Sequence, residues 1–294
     1  MKILNFGSLN YDYVYRIKTI LKPGETQKAI SRELYFGGKG LNQSIALSKA
    51  GLKVYHAGNI GRDGDDLKKY LNDYNVNTEY INKVDDLTGH TVIQVSDDAE
   101  NSILYYSGAN YKNEKNYIDY VLEKFDKGDI LLLQNEINCI DYLIDKAAEK
   151  EMRIFFNPSP FNDDIKLCDL SKIDTFLVNE IEGYQITGHE NKDEILGEFS
   201  NLYPNAKIML TLGRNGNSYM EDGKIYNQDI YKVKAIDSTA AGDTFTGYFI
   251  YGIVNELEIK DMLKLASKAS AIAVTREGAA PSIPTMKEVK EYNI

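Results

Sequence analysis

Ile236-Asp237-Ser238-Thr239-Ala240-Ala241-Gly242-Asp243-Thr244-Phe245 joins two regular elements through a turn of small residues. Ahead of it, Tyr231–Ala235 reads as a strand. Behind it, Phe245, Tyr248, Phe249 and Ile253 recur at helical spacing and predict one apolar stripe. Small residues let a phosphate approach the backbone, and the first amide groups of a helix have no partner within it. Such donors stabilise charge on a phosphoryl group in transfer. Asp243 falls in the first helical turn, where a carboxylate can accept the proton of an attacking hydroxyl. An acidic residue there also favours the helix dipole without any chemistry. The turn alone leaves both readings open.

The same alternation runs through the rest of the chain. Residues 3–7, Val54–Ile60, Ile130–Leu133, Ile154–Phe156, Phe176–Val178 and Ile208–Leu212 read as buried strands. Between them lie helical patterns: Leu41, Ile45, Leu47, Ser48 and Ala50; Asp65 to about Asn72; Ile140, Leu143, Ile144, Ala147 and Ala148. This order implies a mainly parallel sheet with helices on both faces, a three-layer α/β/α domain. Ligands of such sheets bind at the carboxyl ends of the strands. Asn10, Glu136, Asn157, Asn179 and Thr211 all fall at or just beyond such ends.

Two regions break the alternation. Tyr13–Ile17 and Gln27–Phe36 are extended stretches separated by Lys22-Pro23-Gly24-Glu25. Thr91–Val95 and Ser102–Tyr106 flank the polar turn Asp97-Asp98-Ala99-Glu100-Asn101 and read as a hairpin. Residues 12–36 and 89–107 are therefore expected to form a small sheet, apart from an α/β domain of residues 1–11, 37–88 and 108–294.

Composition limits the partners. A net charge of -10 argues against sequence-independent binding to nucleic acid or an anionic membrane. It leaves room for a phosphate held by local amides and a few lysines. No apolar stretch behind a basic start suggests a signal peptide or a span, so a cytoplasmic protein is expected. The two cysteines, Cys139 and Cys168, lack CxxC spacing and read as reduced thiols. His56, His90 and His189 show no metal-ligand spacing.

Other candidates take their meaning from position. Phe36-Gly37-Gly38-Lys39-Gly40-Leu41-Asn42-Gln43 places three glycines at a helix start, permitting close approach of a ligand, with Lys39 and Asn42 projecting from it. It lacks the Gly-x4-Gly-Lys-Ser/Thr pattern of a P-loop. Asn10 and Asp12 fall on one face of an extended stretch and could clamp vicinal hydroxyls. Asn179 could serve a site or simply cap a helix.

Taken in order, these segments resemble the ribokinase-like (PfkB) family of carbohydrate kinases over nearly the whole chain. Gly7-Ser8-Leu9-Asn10-Tyr11-Asp12 resembles the opening substrate motif, and Gly37 to Gln43 the first glycine signature. Ser107-Gly108-Ala109-Asn110 resembles the segment after the lid hairpin, and Asn179-Glu180-Ile181-Glu182 the Asn-x-x-Glu motif. Asp237 to Asp243 resembles the second signature. Ala271-Ile272-Ala273-Val274-Thr275-Arg276, with Gly278 and Ser282, resembles the C-terminal segment. Tyr11 stands where a small residue is usual.

The resemblance implies ATP-dependent phosphorylation of a small sugar, D-ribose at its 5-hydroxyl first. Fructose, another sugar or a nucleoside stacked on Tyr11 or Tyr13 is the alternative, and a non-catalytic sugar-binding regulator a further one. Asp243 would be the base, and the amides of Ala241, Gly242 and Asp243, after Ala240, the anion hole. Asn10, Asp12, Gly38, Lys39, Asn42 and Glu136 would bind the sugar. Thr211, Gly213 and Gly216 would line the nucleotide site, with Asn179 and Gly242 near the phosphates and Ser267 near the adenine. Glu182 would organise Mg²⁺ through water. Asp237, Thr239, Ala273, Arg276, Gly278 and Ser282 would shape a site for K⁺ or a similar monovalent cation. The small sheet would be a lid that closes over the sugar and pairs subunits in a homodimer.

Overall fold

The computed structural model describes residues 1–98 and 100–293. In chain order its elements begin with β1 (Ile3–Phe6), β2 (Asn10–Arg16), β3 (Ser31–Gly37), α1 (Lys39–Lys49), β4 (Val54–Ile60) and α2 (Asp65–Asp73). Next come β5 (Asn77–Lys83), β6 (Gly89–Val95), β7 (Asn101–Tyr106), α3 (Lys115–Leu122), β8 (Ile130–Gln134), α4 (Ile140–Glu149) and β9 (Arg153–Asn157). The chain continues through β10 (Thr175–Asn179), α5 (Glu180–Thr187), α6 (Lys192–Leu202), β11 (Lys207–Thr211), β12 (Asn217–Glu221) and β13 (Lys224–Gln228). It ends with α7 (Ala241–Val254), α8 (Ile259–Ala273) and α9 (Met286–Glu291).

Nine strands form one sheet in the order β13-β12-β11-β10-β9-β8-β1-β4-β5. Pairing is parallel from β11 through β5, and β12 and β13 add an antiparallel edge. Central strands bury both faces, so their side chains divide by alternation. Ile130, Leu132, Phe155, Leu177 and Met209 meet Leu41, Ile45, Phe245, Phe249 and Ala266 of α1, α7 and α8. Leu131, Leu133, Ile154, Phe156 and Phe176 meet Ile118, Leu143, Ile195 and Phe199 of α3, α4 and α6. Each fully buried Leu, Ile or Phe contributes about 1.5–3 kcal/mol, and these two layers hold the helix starts against the strand ends. The three-layer expectation holds.

The four remaining strands form a separate sheet, β3-β2-β6-β7. Its outer pairs are antiparallel, and β2 runs parallel to β6 with Asp12 opposite Thr91. Of the expected turn at 97–101, Ala99 lies outside the described residues. The first extended stretch begins earlier than expected, so Asn10 and Asp12 belong to β2; the second begins only at Ser31.

One expected strand does not form. Tyr231–Ala235 carries no regular structure and is largely exposed. The hairpin of β12 and β13, which the sequence reading did not separate, occupies that edge of the sheet. With no strand left to pair with, the segment crosses the surface as a connection into the 236–240 turn.

Candidate active site

α7 starts at the 236–245 turn. Ala240 takes a left-handed backbone, φ 57°, at the N-cap. Its carbonyl accepts from the Thr244 amide (2.8 Å), and the Ala241 amide donates to the Ser238 carbonyl (3.2 Å). Among the described residues the amides of Gly242 and Asp243 have no acceptor. Of the three amides expected in an anion hole, two are therefore free and Ala241 is engaged. They border a cavity of about 260 Å³ at the carboxyl ends of β9, β10 and β11, lined among others by Lys39, Asn157, Asn179, Glu182, Thr211 and Asp243.

Asp243 is only 8% exposed. Its Oδ2 accepts from Asn42 Nδ2 (3.2 Å) and its Oδ1 from Gln43 Nε2 (2.9 Å). Helix α1 thus supplies both partners of a carboxylate carried by α7. The ammonium of Lys39 shares this space. Burial works against its charge, but the carboxylates of Asp243, Glu136 and Glu182 outweigh that and hold its pKa above the ordinary lysine value.

Glu136, just beyond β8, is tied to the same helix start. Its Oε2 accepts from the Lys39 amide (2.9 Å) and from the Ser8 hydroxyl. Burial pushes its pKa up, opposed by Lys39. Asn10 and Asp12 come in from β2. Asn10 Oδ1 accepts from Asn110 Nδ2 (2.7 Å), and Asp12 Oδ1 accepts from the Thr91 hydroxyl (2.5 Å). Burial raises the Asp12 pKa against the pull of Thr91.

The glycines of the first turn lie against other parts of the chain. A Cβ on Gly37 would sit 2.0 Å from Asp12 Oδ2, and one on Gly40 2.4 Å from the Ser8 nitrogen. Gly38, at φ 94°, faces Ser8 and Asn10. Protein atoms, not open space, fill what these glycines leave. They bring β2 and the segment after β1 against α1.

Asn179 caps α5: its Oδ1 accepts from the amides of Ile181 and Glu182, while Glu182 Oε2 accepts from the Asn179 amide (2.7 Å). Both also line the cavity, so capping and site placement coincide. Thr211 lines it too; Gly213, Gly216 and Ser267 lie outside it. Gly216 needs its glycine, since φ is 86° and a Cβ would meet the Gln228 carbonyl at 2.2 Å. Ser267 accepts from Asn217 Nδ2 (2.8 Å) and thereby fastens α8 to β12.

A strand-end cavity, open helix amides and a buried aspartate beside a lysine form a setting for phosphoryl transfer. The chain matches the pfkB family carbohydrate kinases over residues 1–286. It belongs to that family. It is 33% identical to the ribokinase of Haemophilus influenzae, over 97% of this chain and 96% of the relative. It is 29% identical to the deoxyribokinase of Salmonella typhi, over 99% and 98%. Its fold superimposes on the Arabidopsis thaliana ribokinase complexed with ribose and ATP with a TM-score of 0.87, at 27% identity over 99% and 97% of the two chains.

In this pfkB kinase the remaining candidates gather behind the 236–240 turn. Asp237 Oδ1 accepts from the Thr239 amide and hydroxyl, and its Oδ2 from the Gly278 amide (3.0 Å). Burial opposes its charge; those three bonds prevail and lower its pKa. Ser282 donates to the Ala279 carbonyl, and the Ala273 carbonyl accepts from the Arg276 amide. The Arg276 side chain turns away to Glu288 (2.7 Å). Sequence reasoning missed Gln43, Gln134 and Thr91 as parts of the kinase site. Gln43 follows a chosen residue directly, and helix neighbours one apart face different ways. Gln134 looked like the end of an apolar strand.

Proposed function

We propose that this chain transfers the γ-phosphoryl group of ATP to the 5-hydroxyl of D-ribose, with Asp243 as the base. One observation carries the reading: the free amides of Gly242 and Asp243 and the Asp243 carboxylate stand together at the cavity where α7 begins. Asp243 accepts the hydroxyl proton as the sugar oxygen bonds to the γ-phosphorus. The bond from that phosphorus to the bridging oxygen breaks, and its electron pair leaves with ADP. The two amides and Lys39 face the charge carried by the moving group. Asn10, Asp12, Gly38, Asn42 and Glu136 hold the sugar, and Asn179, Thr211, Gly213, Gly216 and Ser267 serve the nucleotide.

Among the described residues no cluster of three or more His, Cys, Asp or Glu could cage a metal. With Asp243 taken as the base, Glu182 is the other carboxylate lining the cavity and fits an ion held through water and phosphates. Bound with ATP, Mg²⁺ would neutralise phosphate charge there. The loop joining Asp237 and Thr239 to Ala273, Arg276, Gly278 and Ser282 would hold K⁺ or a similar cation, mainly through carbonyls. Residues 12–36 and 89–107 would act as the lid and as the contact of a cytoplasmic homodimer. Among the described residues no helix is long and apolar enough to cross a membrane.

Ribose is favoured over a nucleoside by the placement of the Tyr11 and Tyr13 rings. Tyr11 and Tyr13 alternate with Asn10 and Asp12 and so take the opposite face of β2. Tyr11 is 5% exposed, donates to the Asp63 carbonyl and packs on Phe36. Tyr13 lies under Arg32. The deoxyribokinase likeness makes 2-deoxyribose the competing sugar. ADP release would be measured over ribose, 2-deoxyribose, fructose and nucleosides, with and without potassium. Ribose turning over no better than the others would sink the substrate. Asp243→Asn should lower kcat by about 10²–10⁴-fold while sugar binding persists; full activity in that variant would remove the base.

A further inference from the structure

Behind Asp243 runs a file of buried amide side chains that the reaction above does not use. Asn5 Nδ2 donates to the Gly40 carbonyl (2.7 Å). Gln134 Nε2 donates to Asn5 Oδ1 (2.8 Å) and to Gln43 Oε1 (2.7 Å), and Gln43 Nε2 donates to Asp243 Oδ1 (2.9 Å). Asn5, Gln43 and Gln134 are completely buried.

The direction of every bond follows from the ends. A backbone carbonyl can only accept, so the Asn5 amide must turn its nitrogen to Gly40 and its oxygen to Gln134. Gln134 then presents nitrogen to Gln43, and Gln43 presents nitrogen to the carboxylate. An amide flip anywhere in the file would set two like atoms against each other. The orientation is kept although, among the described residues, it leaves Gln134 Oε1 buried without a partner; turning the amide would leave Nε2 unpartnered instead and set Oε1 against two other amide oxygens. Gly7 makes room for Gln134 Oε1, since a Cβ there would meet it at 2.2 Å.

We propose that Gln43, set by Gln134 and Asn5, is a positioning residue that fixes Asp243 Oδ1 and so, with Asn42 on Oδ2 (3.2 Å), sets the angle at which the second lone pair of Oδ2 meets the acceptor hydroxyl. The inference rests on Asp243 being the base. The file contains no ionisable group besides Asp243, so it orients the carboxylate and carries no proton away.

Gln43→Met, which keeps length and stem but has no donor, is the test. Its kcat should fall on the order of 10²-fold, as a displaced reacting group does. The sugar KM should stay within about threefold. Gln134→Leu should give a smaller fall in kcat, and Gln43→Met/Gln134→Leu no more than Gln43→Met alone, because the two act in series. Placed in Asp243→Ala, Gln43→Met should leave the residual rate within about twofold, there being no carboxylate to hold. A Gln43→Met enzyme with unchanged kcat overturns the proposal, as does an equal fall in the Asp243→Ala background. Full activity in Asp243→Ala itself would overturn the base and this inference together. If Gln43→Met fails to fold, Gln134→Leu carries the same comparison of kcat, KM and background, with the same outcomes for and against.

Discussion

Two turns rich in small residues each start a helix in this kinase, and they differ in what their backbone amides do. At α1 every early amide has a protein acceptor: Lys39 donates to Glu136, Gly40 to the Ser8 hydroxyl, Leu41 to the Ser8 carbonyl and Asn42 to the Gly38 carbonyl. At α7 the amides of Gly242 and Asp243 have none among the described residues. The space beside the glycines differs in the same sense. Cβ atoms on Gly37 and Gly40 would strike protein, whereas one on Gly242 would meet nothing within 4 Å. A helix start with its amides used and its space filled is a joint. One with both left open, next to a carboxylate, is fitted for an anion that comes and goes.

The largest expected effect breaks the first half of that contrast. In Gly40→Ala the new methyl would lie 2.4–2.6 Å from backbone atoms of Gly7 and Ser8. Backbone cannot give way as a flexible side chain can, and overpacking of this kind costs about 1–3 kcal/mol or more. Stability and activity should fall together, read by thermal unfolding and turnover on one preparation. A Gly40→Ala enzyme of normal stability would mean that the first turn is not a joint.

Gly242→Ala tests the other half and should separate what Gly40→Ala joins. Alanine in a helix is favoured over glycine by about 1 kcal/mol, so the unfolding temperature should hold or rise slightly. The methyl would stand beside the free amides and crowd the phosphoryl group, lowering kcat about tenfold or more, by analogy with losing one anion-hole donor. Normal kcat in a stable Gly242→Ala variant would leave the glycine without a purpose and undo the contrast.

The architecture was legible in the sequence because short apolar runs, spaced by helical patterns, have one economical packing. The site was legible in part. Asn10, Glu136, Asn179 and Thr211 are polar residues at strand ends, and the parallel sheet gathers such ends by its topology. Local pattern failed where pairing decided the outcome. Tyr231–Ala235 has the residues of a strand, yet β13 holds the edge it would need. The same blindness hid the distinction between the two turns. Both read as glycine at a helix start, and only Ser8 and Glu136, 32 and 97 residues from their amide partners, close one of them.

The smallest effect concerns Ala240, and it sharpens the contrast at the level of backbone strain. In the first turn the residue with positive φ is Gly38, which has no Cβ to object. In the second it is Ala240, at φ 57°, while Gly242 two residues on has an ordinary helical backbone. An alanine held left-handed costs about 1–2 kcal/mol relative to its relaxed state. Ala240→Gly would remove that strain, and glycine is also the better N-cap. The greater freedom of glycine in the unfolded chain would offset part of the gain, by about 0.4–1 kcal/mol. A net stabilisation of up to about 1.6 kcal/mol remains, a rise in unfolding temperature of at most about 3–6 °C by the usual scaling. If Ala240→Gly instead lowers stability, the alanine methyl is holding the turn by packing, and the second turn is a joint at Ala240 even while it is open at Gly242. If stability rises while kcat falls, strain at Ala240 is part of what keeps the two free amides aimed at the phosphoryl group.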